Sequence, residues 1–146
     1  MKLNLIEKRT LSQKRADVSS IIKNSPYHRD IIVTGYINDT ELSLLLAGAK
    51  VFLYLSKIEG FGYAPLEAMA SGVPVICARN SSLSEMLGSA PLWVSDAEDA
   101  ADIAIALQQL IENKNKCQEL SMGGLERVKM FRKEVYKKNI IALYNL

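Results

Sequence analysis

Apolar positions along this chain fall into short blocks separated by stretches with a helical period. The blocks are Leu3 to Ile6, Ile31 to Thr34, Val51 to Leu55, Val75 to Cys77 and Leu92 to Val94. Each is rich in β-branched residues or nearly continuous in apolar character, as a strand covered on both faces requires. Pro74 lacks the N–H that a ladder needs, so the fourth strand is expected to start there. Between blocks, Asn38-Asp39-Thr40-Glu41 reads as an N-cap with a capping-box glutamate, and Gly48 closes the helix it opens. Ser95-Asp96-Ala97-Glu98 is expected to open another helix in the same way. Its inward face would carry Ala100, Ile103, Ala104, Leu107, Leu110 and Ile111. A weaker helix is predicted over residues 10–24, with Val18, Ile21 and Ile22 turned inward. After residue 95 the pattern is helical alone, over about 96–113, 116–129 and 132–145.

Alternation of strands and helices with short links predicts an α/β fold: a Rossmann-like, doubly wound parallel sheet of about five strands, with extra C-terminal helices. Residues 1–146 are expected to form one domain. Five strands is modest for such a sheet, and the chain starts almost directly on a strand. Both features point to something missing upstream.

Composition narrows the field. The 146 residues are 49% hydrophobic and 23% charged, which suits one soluble domain with a real core. A formal net charge of +2 gives no general case for nucleic-acid binding. No apolar run approaches a membrane span, and the stretch after Met1-Lys2 ends at Glu7, too early for a signal-peptide core. Cys77 and Cys117 have no CxxC partner and read as free thiols in a reducing, cytoplasmic setting. His28 is the single histidine and stands in a polar loop, so a triad or a histidine metal site is not expected.

Open parallel sheets bind ligands outside the carboxyl ends of their strands. Three loops leave that edge: Gly35-Tyr36-Ile37, Ser56 to Tyr63, and Ala78 to Ser84. The second stands out because it sets Glu59, Gly60, Phe61 and Gly62 directly before a helix. Pro65 suits the first turn of that helix, Leu66, Met69 and Ala70 form its inward stripe, and Gly72 ends it. Its N-terminus therefore faces the ligand edge, and its N–H groups and dipole favour a phosphate. Gly60 and Gly62 allow the backbone to approach a ligand closely. Glu67 is placed to accept hydrogen bonds from paired hydroxyls such as those of a ribose, and Glu59 from a sugar hydroxyl. The same residues equally describe a tight turn and a carboxylate complementing a helix dipole, and taken alone they leave both readings open.

The longer string resembles the donor domain of GT-B-fold glycosyltransferases of group 1, the retaining family four. The matching pieces are VTGYINDTEL, LLLAGAKVFLYLS, EGFGYAPLEAMASGVPVI and NSSLSEML, in the same order and spacing. Glu59 and Glu67, with seven residues between them, reproduce the E-x7-E signature. GLERVKMF resembles the stretch before the last helix. The resemblance implies an incomplete GT-B C-terminal domain that binds a UDP- or GDP-linked sugar. The transfer would be retaining and independent of metal and cofactor, serving glycan or glycolipid synthesis. By position, Glu59 is the catalytic residue that hydrogen-bonds the donor sugar. Gly60, Phe61 and Gly62 line the sugar and diphosphate. The N–H groups from Tyr63 to Leu66 meet a phosphate, Glu67 binds the ribose, and Tyr36 and Ile37 border the base. Ser82 and Glu85 lie nearby. The two glutamates are then donor-positioning groups rather than an acid/base pair of the glycosidase kind.

The chain also departs from that pattern. The first strand–helix unit, with the Arg and Lys that clamp the diphosphate, has no counterpart, and Lys8, Arg9, Lys14 and Arg15 fall at the wrong place to replace them. The acceptor-binding N-terminal domain has none either. Arg132-Lys133 stand where a Trp is usual, and Trp93 reads as core. The isolated chain is therefore expected to be inactive, with the missing domain or a partner chain completing the enzyme. A noncatalytic nucleotide-sugar-binding module, or one chain of a two-chain transferase, is the alternative. A phosphoacceptor receiver domain is rejected, because Glu7-Lys8 and Ser56-Lys57 stand where its acidic residues belong. The cluster Arg127, Lys129, Arg132, Lys133, Lys137 and Lys138 reads either as a solvated helix face or as peripheral contact with the inner face of an anionic membrane. Val135, Ile140, Leu143 and Tyr144 are expected to pack on the missing domain and to be partly exposed without it.

Overall fold

A computed structural model describes residues 3–5 and 15–144. By contacts the chain divides into two compact units, Met1–Leu44 and Leu45–Leu146.

In the first unit, β1 (Leu3–Leu5) and β2 (Ile31–Val33) pair in parallel, with Leu3 opposite Ile31. Helix α1 (Arg15–Asn24) and a short 3-10 turn at His28–Asp30 connect them. Residues 10–14 of the expected first helix lie outside the described residues. The inward face expected of α1 is not found: Val18 and Ile21 are exposed, and only Ile22 is half-buried. A pair of three-residue strands offers too little surface to cover a three-turn helix. Helix α2 (Asp39–Ala47) opens on the expected reciprocal box. Asn38 Oδ1 accepts the Glu41 N–H at 3.0 Å, and a Glu41 carboxylate oxygen accepts the Asn38 N–H at 2.8 Å.

In the second unit, β3 (Phe52–Tyr54), β4 (Val75–Ala78) and β5 (Leu92–Val94) form a parallel sheet in the order β3-β4-β5. Among the described residues, the ladder hydrogen bonds thus group the strands as a pair and a triplet. Parallel neighbours need crossovers. Helix α3 (Tyr63–Ala70) joins β3 to β4, and α4 (Ser81–Leu87) joins β4 to β5. β4 is central and all four of its residues are buried. Ile76 and Ala78 on one of its faces pack with Val94 and with Ala106, Leu110 and Leu120 from α5 (Ala100–Glu112) and α6 (Lys114–Lys129). Leu66, Met69, Leu83 and Leu87 of α3 and α4 are also buried.

Helix α5 starts later than its sequence suggests. Asp96 Oδ1 accepts the Glu98 N–H and holds residues 96–98 in an Asx-turn, so the capping role passes to Asp99, which accepts from the N–H groups of Ala101 and Asp102. The buried stripe is correspondingly Ile103, Ala106, Leu107 and Leu110, while Ala100, Ala104 and Ile111 face outward. Asn113 ends α5 and caps α6, accepting from Lys116. α6 then runs against α3. A Cβ on Gly124 would stand 3.0 Å from Met69 Cγ, so glycine there sets how closely the two helices pack. Helix α7 (Lys133–Tyr144) closes the described chain. In it Val135 is half-buried and Ile140 is exposed, while the side chains of Leu143 and Tyr144 lie outside the described residues. Among the described residues, no helix is long and apolar enough to cross a membrane.

Candidate functional site

The carboxyl ends of β3 and β4 feed two neighbouring loops of the second unit, the first leading into α3 and the second into α4. They are tied together. Asn80 Nδ2 donates to the Ser56 carbonyl at 2.9 Å, and Ser82 Oγ donates to the Glu59 carbonyl at 2.6 Å. Asn80 also caps α4, its Oδ1 accepting the Leu83 N–H at 2.9 Å. Within the first loop, Ser56 Oγ donates to the Ile58 carbonyl at 3.0 Å. Glu59, Gly60, Phe61 and Gly62 thus sit on a braced loop, with Tyr63, Leu66 and Glu67 on the helix it leads into.

Glu59 is half-buried. Its carboxylate accepts a short hydrogen bond from the Tyr54 hydroxyl, at the last residue of β3. Burial, then that hydrogen bond and the charge of Glu59, push the Tyr54 hydroxyl up to about 12, so it stays protonated and donating at neutral pH.

Gly60 is exposed, with open space where a Cβ would stand. Gly62 has a reason within the structure to be glycine. It is buried, its φ is 91°, and a Cβ would lie 2.5 Å from Leu83 Cδ2. The constraint comes from the protein beneath the loop, where the sequence suggested a ligand above it. As N-cap of α3, Gly62 gives the helix no side-chain cap. Pro65 in the first turn has no N–H to satisfy.

Phe61 and Tyr63 stack with centroids 4.4 Å apart, and Phe131 meets Phe61 edge-on at 6.3 Å. Tyr63 is 66% exposed, so one face of this aromatic group is open at the mouth of the loop. Leu66 is buried and can reach a ligand only through its backbone. Glu67 is exposed on the first turns of α3. Tyr36 and Ile37 belong to the first unit, on the loop between β2 and α2, where Tyr36 is exposed and Ile37 half-buried.

Basic side chains close in sequence to these loops have other partners. Lys57 pairs with Glu98 at 2.6 Å, and the Arg79 guanidinium lies over the Trp93 ring, 4.9 Å from its centroid. Trp93 is half-buried and donates its indole N–H to the Gly88 carbonyl. Arg127 does not belong to a wholly solvated face. Its Nε and a terminal nitrogen donate to the carbonyls of Met86 and Glu85 at 2.8 and 2.7 Å, closing the C-terminal end of α4. Among the described residues, no three His, Cys, Asp or Glu side chains gather as a metal site.

The bracing contacts of Tyr54 and Asn80 lay outside the residues singled out from sequence, and Arg127, noted there for its charge, anchors α4 instead. A polar-tipped aromatic inside an apolar block and an asparagine before a Ser-Ser-Leu helix start were the available signals for the first two.

Residues 12 to 127 match the family model described as Glycosyl transferases group 1. The chain is 38% identical over 112 residues to the O-antigen chain mannosyltransferase B of Escherichia coli, a match that covers 77% of this chain and 29% of that protein. Sucrose-phosphate synthase of Thermosynechococcus elongatus superimposes with a TM-score of 0.84 at 25% identity, over 99% of this chain and 38% of its own. HepE of Anabaena, solved in complex with UDP, superimposes with a TM-score of 0.83 at 18% identity, over 100% of this chain and 41% of its own. This chain therefore spans well under half the length of these proteins, and the last likeness is one of fold.

Proposed function

This chain belongs to the group 1 glycosyltransferases, and on that premise we propose that its second unit is the donor cradle of a retaining, metal-independent enzyme acting on a nucleotide-diphosphate sugar. The observation that carries the proposal is the braced loop from Ser56 to Gly62. It delivers a half-buried carboxylate and a helix start without a side-chain cap to the same edge of a parallel sheet.

In this reading the Glu59 carboxylate accepts a hydrogen bond from a hydroxyl of the donor sugar. Gly60 leaves the approach open, and Phe61 and Gly62 line the sugar and diphosphate. The N–H groups of Tyr63, Ala64 and Leu66 face a phosphate, where the helix dipole favours negative charge. Glu67 takes the ribose hydroxyls. Ser82 acts through Glu59, since its hydroxyl is already donated to the Glu59 carbonyl. Rate enhancement comes from positioning and from stabilising the departing diphosphate. A mannosyl donor is the first candidate, because the E. coli relative is named a mannosyltransferase.

The ion pair of Lys57 and the stacking of Arg79 support a second element of the reading. Counter-charge for the diphosphate comes from outside the second unit, together with the acceptor site, from a further domain or partner chain. The same engagement of cations is what a noncatalytic nucleotide-sugar-binding module would show. If the acceptor is lipid-linked, exposed Arg132, Lys133, Lys137 and Lys138 give a surface for anionic membrane, testable by liposome sedimentation with and without anionic lipid.

Calorimetric titration with UDP, GDP and a panel of their sugars, mannose included, tests the reading. Binding of one nucleotide series is expected, weakened at least tenfold by Glu67→Ala, with no turnover by the isolated chain. Absence of binding to every member of the panel would refute both the transferase and the module. Robust turnover by the isolated chain would remove the need for a partner.

A further inference from the structure

We propose that Tyr54 is a positioning residue for the donor sugar, orienting the carboxylate of Glu59 through the hydrogen bond its hydroxyl donates. The inference rests on the reading of this loop as a donor site and adds to it a residue outside the E-x7-E string.

Glu59 is held at two points. Its main chain is fixed by Ser82, whose hydroxyl donates to the Glu59 carbonyl at 2.6 Å. Its side chain is fixed by Tyr54, whose hydroxyl donates to Oε1. Tyr54 is itself well placed to serve as a fixed post. It ends β3, whose backbone is paired with β4 through Tyr54 opposite Cys77. Its ring stacks at 15° on the ring of Phe52, with centroids 6.1 Å apart. A glutamate has three rotatable side-chain bonds, and a loop glutamate without such a post must be ordered by the ligand at the ligand's expense in affinity. With Oε1 committed to the phenol, Oε2 is the oxygen turned to a sugar hydroxyl. Tyr54 thereby selects which lone pairs meet the donor, without touching it.

The test separates sugar recognition from nucleotide recognition. The quantity read is the ratio of the dissociation constant of the free nucleoside diphosphate to that of the nucleotide sugar, by calorimetry on the full chain. Tyr54→Phe retains the stacked ring and removes the hydroxyl. It is expected to lower this ratio by about tenfold, the loss typical of a hydrogen bond to a charged group, while the affinity for free nucleotide stays within about twofold. A positioning residue acts through its partner, so Tyr54→Phe added to Glu59→Ala should change the ratio no further. A merely structural tyrosine would weaken both ligands alike and add its effect in the double variant. Independently of ligand, the Tyr54 Cζ resonance in 13C-tyrosine-labelled protein at neutral pH, assigned by its loss in Tyr54→Phe, should move in Glu59→Gln. An unmoved resonance overturns the contact itself. An unchanged ratio in Tyr54→Phe, with nucleotide-sugar binding intact in the wild type, overturns the positioning role alone. A wild type that binds no nucleotide sugar overturns the donor reading, and the inference with it.

Discussion

Replacing Gly62 by alanine should unfold the second unit far more readily than the same change two residues earlier, and the size of the effect follows from the geometry. At φ 91° a side-chain-bearing residue incurs the left-handed penalty, about 1–2 kcal/mol. The new Cβ would also stand 2.5 Å from Leu83 Cδ2. That methyl belongs to a fully buried leucine and can move only into packed surroundings, at a cost of about 1–3 kcal/mol. Reduced freedom of the unfolded chain offsets about 0.4–1 kcal/mol. A net loss of about 2–3 kcal/mol remains, which for a domain of this size lowers the unfolding midpoint by about 10 °C. Gly60→Ala is the control, because nothing lies within 4 Å of its Cβ position and the residue is exposed. It should fall within about 0.5 kcal/mol of wild type. Thermal unfolding followed by far-UV circular dichroism gives both values. Adding Leu83→Ala to Gly62→Ala should prove less damaging than the sum of the two single changes, because it removes the clash and leaves only the backbone strain. Equal midpoints for Gly62→Ala and Gly60→Ala would refute the argument. Strict additivity in the pair would refute its steric half.

Three further outcomes are expected. Arg127→Ala removes two charged-donor hydrogen bonds to the last carbonyls of α4 and should cost about 2–3 kcal/mol in urea unfolding, with Arg127→Lys recovering little, since one ammonium cannot reproduce the two-pronged geometry. At pH 8 a disulfide reagent should modify one thiol in the native protein and both in denaturant. Cys117 is half-buried, whereas Cys77 is fully buried and pushed to about 12 by that burial, leaving about one part in ten thousand as thiolate. Tyr54 is raised from 10.0 to about 12, so the folded state retains that proton more tightly than the unfolded state does. Its contribution is full below pH 10 and should decline as pH rises through 12, and Tyr54→Phe should lessen the alkaline fall in the unfolding midpoint over that window.

Much of the fold was legible because it is written locally. Strand β5 occupies Leu92–Val94, as its apolar block indicates, since a strand covered on both faces leaves a continuous run. The capping box of α2 is a four-residue event and reads directly from Asn38 to Glu41. The start of α5 was not legible in the same way. Asp96 and Asp99 are both competent caps, and the choice turned on which carboxylate a neighbouring turn claims. The faces of α1 were not legible either, because burial of Val18 and Ile21 depends on how much sheet lies beneath them. At the site, the string from Glu59 to Glu67 announced its own loop and helix. The contacts that hold Glu59 did not, because Ser82 is 23 residues away in sequence and reaches it only once β3 and β4 stand side by side. At Gly62 the sequence shows that a glycine is needed and leaves the reason open. A glycine signals that something comes close, and only packing says from which side.

Asn80 carries a consequence for how freely this sequence can drift. Its Oδ1 caps α4 while its Nδ2 holds the Ser56 carbonyl. At an ordinary helix start, asparagine, aspartate, serine and threonine are near-equivalents, and Asp99 of this chain occupies such a position. At position 80 that freedom is lost. Aspartate would set a second acceptor against the Ser56 carbonyl, and serine or threonine would be too short to serve both partners. A residue that local rules class as interchangeable is thereby restricted to one type by a loop 24 positions earlier. Exploration of sequence by this protein should accordingly be narrow at Asn80 and broad at Asp99, and a saturation library scored for folding would display the contrast.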